Sequence, residues 1–387
     1  MELKKYRLGE LLTIKNGKDH KGLSDGIYPV YGSGGIMRYV DRYLYDKPSV
    51  LLPRKGSLEN IQYCDNPFWT VDTLYYTEVN NDLVSPYYLY RYLNLLDLCL
   101  LNTGTGVPSM TFDSYYNIEV MLPCISVQRK IASILYDYDR KIALNRQIND
   151  NLEAMAKQLY DYWFVQFDFP DGEGKPYKAS GGKMVWNEKL KREIPEGWNN
   201  GVLSDIANIT MGQSPDGSSY NENGDGIIFY QGSTDFGLRF PSIRQYTTSP
   251  SRYANKGDIL MSVRAPVGAL NIANNNCCIG RGLSALSSKV GSMTHLYYIL
   301  NDFRLKFEGM NSSGTTFGSI TKEELFNLPV VIPAEPVISE FEKVCEPIFD
   351  KQIIIGEEIN ALTKQRDELL PLLMNGQASV NYHLSDD

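Results

Sequence analysis

The chain resembles itself at a separation near 200 residues, and a duplicated sequence of this kind must fold as two similar units. Residues 8–18 (LGELLTIKNGK) match 203–213 (LSDIANITMGQ), and 27–33 (IYPVYGS) match 227–233 (IIFYQGS). Further on the shift grows to 210: 103–110 lies against 313–320, and Leu122-Pro123 against Ile332-Pro333. Ordered anchors with a drifting offset indicate duplication followed by loop insertion. Each copy opens with a stretch rich in Gly, Tyr, Ser, Asn and β-branched residues, in which 49–52 and 258–261 read as buried strands.

Each copy then passes a proline, Pro123 or Pro333, into a long segment almost without glycine. Heptad spacing is kept by Ile131, Tyr138, Asn145, Leu152 and Leu159, and by Phe341, Ile348, Ile355, Leu362 and Leu369, each 210 residues beyond its counterpart. Forty residues of helix would extend about 60 Å at 1.5 Å per residue, longer than a compact domain needs. Such an exposed stripe is buried most economically if the two helices pack as a coiled coil. Asn145 and Asn149 fall on or beside the seam, where polar residues can fix register. Pro347 predicts a kink or a late start in the second helix. Between the copies, 166–195 reads as a loop-rich connection, with Pro170, Gly172, Gly174, Pro176, Gly181 and Gly182.

The net charge of −8 does not by itself exclude a nucleic-acid partner, because it is unevenly distributed. The 54 residues from Ala334 onward hold 11 acids and 4 bases, leaving 35 acids and 34 bases before them. Most of the chain is neutral enough for local basic surfaces. No apolar run approaches membrane-spanning length, and the charged start lacks the apolar core of a secretion signal, so a cytoplasmic protein is expected. The six cysteines form no C-x-x-C pair and none of the three histidines sits at ligand spacing, so structural thiols and no metal are expected.

Three motif fragments carry little chemistry. Asp65-Asn66-Pro67-Phe68-Trp69 resembles the amino-accepting loop of DNA methyltransferases but lacks its second proline, and no cofactor-binding glycine loop accompanies it. Pro170-Asp171 with Glu173 and Lys175 has the letters of a PD-(D/E)xK nuclease compressed into a turn. Gly32-Ser33-Gly34-Gly35 is too short to cradle phosphate. What remains is polar, glycine-loosened loops at equivalent places in both copies. Residues 102–106 and 311–316 offer amides and hydroxyls, Arg54-Lys55 and Arg264 follow the candidate strands, Arg281 follows Gly280, and Tyr31 and Gln231 precede Gly-Ser.

These residues resemble the specificity (S) subunit of type I restriction-modification systems. The resemblance is carried by 162–170 (YWFVQFDFP), 174–178 (GKPYK), Ser180-Gly181-Gly182, 194–198 (IPEGW), 104–108 (GTGVP), Leu122-Pro123 and 128–131 (QRKI). The second join departs from it: Gly318 stands where Pro108 would repeat, and Ile338-Ser339-Glu340 where Gln128-Arg129-Lys130 would. The resemblance implies an α+β protein with two repeated α/β target recognition domains separated by two long antiparallel coiled-coil helices in a pseudo-two-fold arrangement. The expected division is 1–123 and 196–333 for the recognition domains, 124–165 and 334–376 for the spacer helices, 166–195 for the linker and 377–387 for a tail. It further implies double-stranded DNA as ligand, with each domain reading half of an interrupted asymmetric site. No active site is expected in this chain. Two modification subunits would bring S-adenosylmethionine and methylate adenine N6, and restriction subunits would bring ATP and Mg. The other function class to weigh is a non-enzymatic scaffold binding protein or glycan. Candidate DNA contacts are Lys15, Lys18, Tyr31, Ser33, Arg54, Lys55, Ser57, Trp69, Thr103, Thr105 and Ser109 in the first copy. In the second they are Gln213, Ser214, Gln231, Ser233, Arg264, Arg281, Ser313, Thr315 and Thr316.

Overall fold

The computed structural model describes residues 2–101, 108–312 and 318–378. The chain divides into two units, Met1–Ala143 with Asn360–Asp387, and Leu144–Ile359, so each takes part of both long helices.

The first unit runs β1 (Lys4–Arg7), α1 (Leu8–Leu11), β2 (Leu12–Lys15), β3 (Asp25–Gly32), β4 (Gly35–Val40), β5 (Ser49–Pro53), β6 (Gln62–Cys64), β7 (Trp69–Thr70), β8 (Leu74–Val79), α2 (Pro86–Leu93), α3 (Phe112–Tyr116), β9 (Glu119–Leu122) and the start of α4 (Ile125–Tyr160). Its sheets are ordered β2-β8-β5-β6, β4-β3-β7 and β1-β9. Every residue of β5 is buried, which is what an unbroken apolar run requires of a strand covered on both faces.

The second unit takes the rest of α4 and adds β10 (Met184–Asn187), β11 (Arg192–Pro195), β12 (Asn199–Val202), α5 (Leu203–Ile206), β13 (Ala207–Met211), β14 (Tyr220–Asn221), β15 (Ile227–Tyr230), β16 (Tyr246–Thr247), β17 (Tyr253–Ala254), β18 (Ile259–Ser262), β19 (Leu270–Ile272), β20 (Cys277–Ile279), β21 (Leu283–Ser288), α6 (Met293–Ser312), α7 (Lys322–Phe326), β22 (Pro329–Ile332) and α8 (Glu335–Met374). The orders β13-β21-β18-β19, β14-β16-β15-β20-β17 and β12-β22 repeat the plan of the first unit, with strands added to the second sheet. This repetition of strand order is the duplication expressed in hydrogen bonds.

The ten heptad positions are buried or half-buried. A second column, Leu135, Ile142, Asn149 and Ala156 with Cys345, Gln352, Ile359 and Leu373, is buried beside them. In the first unit Arg366 Nη1 donates to Asp139 Oδ1 at 2.8 Å, and Asp139 also takes Arg91 and Tyr87 of α2. In the second unit Glu153 meets Gln352 while Trp163 and Phe164 meet Phe341, so the helices run antiparallel there. Asn145 Nδ2 and Asn149 Oδ1 are buried and find no hydrogen-bond partner among the described residues. The late start predicted at Pro347 does not occur, because α8 begins at Glu335 and continues unbroken to Met374. Pro347 and Lys343 lie on the exposed side, where a carbonyl that loses its N–H partner is satisfied by water.

The connection is loop-rich as expected up to a closing hairpin, and its aromatic residues, with those just before it, pack into the second unit's core. Trp163, Phe164, Phe167 and Phe169 are buried with Trp198, Phe341 and His295, and β10 pairs with β11 as a hairpin. The compressed nuclease letters are a turn: Asp171 Oδ1 accepts the N–H groups of Glu173 and Lys175 at 2.8 and 2.9 Å. Gln128, in the quoted 128–131 segment, is 1% exposed; it accepts Ser85 N–H and donates to the carbonyls of Leu83 and Pro123, so its role is to hold α4 on the first unit.

The His295 ring, 4.4 Å from Phe164, is held neutral, and burial pushes its pKa down to about 3. Its folded pKa lies below the unfolded value near 6.5, so its contribution is complete above that pH and is lost as pH falls toward 3. By pH 5 the loss amounts to about 2 kcal/mol. His295→Phe should flatten the acid limb of the stability profile by that amount between pH 7.5 and 5, as read by urea denaturation; identical slopes would contradict this.

Candidate nucleic-acid interface

A basic turn in each unit is clamped against a later stretch of chain, at Ser109 in the first and Ser319 in the second. In the first unit Lys55 bridges antiparallel to Ser109, with Gly56 N–H donating to the Pro108 carbonyl at 3.0 Å and Met110 N–H to Arg54 O at 3.0 Å. In the second, Arg264 bridges Ser319, Ala265 N–H donates to Gly318 O at 3.1 Å, and Ile320 N–H to Val263 O at 3.0 Å. Pro108 and Gly318 contribute the same atom, a carbonyl oxygen, so the replacement of proline leaves the clamp intact. Lys55 and Arg264 are equivalent and exposed, while Arg54 corresponds to Val263.

A second turn lies beside each clamp. β3 pairs parallel with β7, placing Tyr31 beside Thr70, and β15 pairs parallel with β20, placing Tyr230 beside Ile279. Val71 N–H then donates to Tyr31 O at 3.0 Å and Leu74 N–H to Val71 O at 3.1 Å; Gly280 N–H donates to Tyr230 O at 2.8 Å and Leu283 N–H to Gly280 O at 3.0 Å. Lys18 N–H reaches Thr70 O at 2.8 Å where Gln213 N–H reaches Ile279 O at 3.0 Å, so Lys18 and Gln213 are true counterparts. Tyr31 corresponds to Tyr230, not to Gln231 as the sequence match had it, and Ser33 to Gly232. Parallel pairing of strands distant in sequence sets this register, one residue away from the Gly-Ser match. Ser33, Gly34, Gly35 and Met37 line an open groove of about 830 Å³ with Asp19, His20, Lys21 and Asp72.

With this geometry in view, a family model described as the type I restriction modification DNA specificity domain matches twice, over residues 1–154 and 195–363. This chain belongs to that family. It is 31% identical over 315 residues to the type I restriction enzyme MjaX specificity subunit of Methanocaldococcus jannaschii, covering 78% of this chain and 70% of that one. To the HindI specificity subunit of Haemophilus influenzae it is 25% identical over 364 residues, covering 78% and 79%. The S subunit of M. genitalium superposes with a TM-score of 0.64 at 16% identity, covering 96% of each chain, a likeness of fold. A specificity subunit is the DNA sequence-recognition component of its system rather than a catalytic one, and nothing favours the protein- or glycan-binding scaffold. Among the described residues no helix of this specificity subunit is long and apolar enough to cross a membrane, and no cluster could hold a metal ion.

The expected contact residues fall into three groups. Lys18, Lys55, Ser57, Gln213, Gln231, Arg264 and Arg281 are exposed on or beside the two turns, with Ser33, Arg54, Ser109 and Ser214 half-buried among them. Ser214 Oγ accepts Arg281 N–H at 3.3 Å, and Arg54 Nη1 donates to Asp72 O at 3.4 Å. Others are occupied structurally. Lys15 pairs with Glu78 at 3.4 Å; Trp69 packs by Val30 and Val71 and donates Nε1–H to Lys18 O at 2.9 Å; Ser233 opens a short 3-10 turn. The Tyr31 ring lies edge-on to Phe68, and burial raises its phenol well above the ordinary value. Thr103, Thr105, Ser313, Thr315 and Thr316 lie outside the described residues. The methyltransferase-like segment is packing, since Phe68 is fully buried and Asp65 Oδ2 accepts the Tyr136 hydroxyl at 2.9 Å. Sequence reasoning missed Asp72, whose counterpart is Arg281, because only strand pairing brings this acid to the groove.

Proposed function

We propose that each unit reads one half of an interrupted, asymmetric site in double-stranded DNA through its clamped basic turn and the adjoining turn. The observation that carries this reading is the recurrence of one backbone arrangement, Lys55 against Ser109 and Arg264 against Ser319, in two copies whose other loops differ. The exposed cations suit phosphate or base-edge contact, and the half-buried hydroxyls beside them suit positioning. The recognition domains are taken as 1–123 and 196–333, the spacer helices as 124–165 and 334–376, with 166–195 as connection and 377–387 as tail. This chain holds no cofactor. Two modification subunits bind S-adenosylmethionine and methylate adenine N6; restriction subunits use ATP and Mg to translocate and cleave, all in the cytoplasm.

The test is Lys55→Ala and Arg264→Ala in the assembled complex, with affinity measured across salt concentrations. A lost phosphate contact weakens all sequences alike and lowers the salt slope by about 1; a lost base contact relaxes one half of the site by about 1–3 kcal/mol. Affinity, slope and half-site preference all unchanged would refute the assignment.

A further inference from the structure

The two turns that follow the parallel strand pairs have the same hydrogen bonds but carry opposite charges at the same position. In Val71-Asp72-Thr73-Leu74 the second residue is an acid; in Gly280-Arg281-Gly282-Leu283 it is a base. The equivalence rests on three independent backbone bonds on each side. Val71 and Gly280 bond the tyrosine carbonyl of the neighbouring strand, Leu74 and Leu283 close the turn, and Thr73 O and Gly282 O accept the N–H groups of Arg54 and Val263, both at 2.9 Å. Both central side chains are exposed. Neither enters a side-chain hydrogen bond or ion pair among the described residues, although Arg54 lies next to Asp72 and contacts only its carbonyl oxygen. Asp72 lines the open groove of the first unit together with Ser33, Gly34 and Lys21. An exposed carboxylate at the edge of a DNA-reading surface repels phosphate, so backbone attraction does not account for it. A carboxylate is, however, the acceptor that an exocyclic amino group in the major groove requires, whereas a guanidinium matches the O6 and N7 acceptors of guanine.

We infer that this turn is a specificity-determining position in both units: Asp72 selects a base presenting an amino group, cytosine N4 or adenine N6, and Arg281 selects guanine at the corresponding position of the other half-site. The inference rests on the DNA-reading assignment proposed above. Each side chain also rejects the other's base, since a carboxylate facing O6 and N7 sets acceptor against acceptor and a guanidinium facing an amino group sets donor against donor.

The complex of this chain with its modification subunits is offered a DNA pool randomised over both half-sites. The wild type must select a bipartite sequence; failure to do so would overturn the DNA-reading assignment itself. With selection established, Asp72→Arg should move one position of one half from adenine or cytosine to guanine, changing that preference roughly 10- to 100-fold and leaving the other half as it was. Arg281→Asp should make the converse change in the other half. Because a charge reversal beside Arg54 can disturb the turn, Asp72→Ala and Arg281→Ala are read in the same pool, and each should relax a single position. Alanine variants that keep wild-type preference at every position, or lose binding uniformly over all sequences, would overturn the inference.

Discussion

Arg239→Ala is expected to lower the stability of the second unit by about 3 kcal/mol. Arg239 sits on a tight connection held by the bridge between Phe236 and Pro241, and its side chain is 5% exposed. Nη1 donates to Glu153 Oε2 at 3.3 Å on α4 and Nη2 to Gln352 Oε1 at 2.9 Å on α8, while Gln352 Nε2 closes the triangle to Glu153 at 2.8 Å. The guanidinium also lies over Phe349 and Tyr297, with centroids 4.7 and 5.4 Å away. Removing it leaves a carboxylate and an amide facing a cavity, and breaking such a pair costs more than the pair contributes. The figure stands at the lower end of the usual 3–5 kcal/mol because Glu153 keeps 33% of its side chain exposed and can be partly hydrated. Three of the four tryptophans, Trp163, Trp186 and Trp198, belong to this unit, so urea denaturation of the full chain followed by their fluorescence reports it. An unchanged midpoint would show that the triangle contributes nothing. Arg239→Met should cost less, since its chain still covers Phe349.

Gly17→Ala and Gly212→Ala should each cost roughly 1–3 kcal/mol, toward the upper end, and should remove sequence-specific DNA binding by the corresponding half. A Cβ at Gly17 would stand 2.0 Å from Val71 O, and one at Gly212 would stand 2.2 Å from Gly280 O. Those oxygens are main-chain atoms that already accept the N–H groups of Leu74 and Leu283, so they cannot yield without opening the turns that carry Asp72 and Arg281. Stability and site selection should therefore fall together. Gly34 and Gly232 have open space where a Cβ would lie, and neither has a left-handed backbone, so alanine there should change stability by less than about 0.5 kcal/mol. Gly17 or Gly212 variants as stable as the Gly34 variant would refute the argument.

The sequence made the helices legible because one seam column keeps its heptad spacing throughout, with Asn145 as its one polar member, from Ile131 to Leu159 and from Phe341 to Leu369. The second column is less legible because Asn149, Gln352 and Arg366 interrupt its apolar positions, to make or await polar contacts inside the packing. β5 and β18 were legible as continuous apolar runs. The connection at 166–195 is loop-rich up to its closing hairpin, as its glycines and prolines indicate, but nothing in that composition disclosed that Phe167 and Phe169 are buried in the second unit's core. Of the candidate contact residues, the structure brings Lys55 to Ser109 and Arg264 to Ser319. Which residue corresponds to which was not legible, since Tyr31 meets Thr70 across nearly forty residues of intervening chain and nothing local encodes that pairing.

The division of the chain has a consequence for its synthesis on the ribosome. The second unit, 144–359, is contiguous and is nested within the first. The first unit's core includes Leu370, Leu373 and Met374 packed with Leu122, Ile131 and Leu135. At about 5–20 residues per second, the 251 residues from 124 to 374 take about 12–50 s to emerge. Throughout that interval Leu122, Ile131 and Leu135 lack the α8 residues that complete their cluster. Of the two units, the one begun earlier is the one completed later.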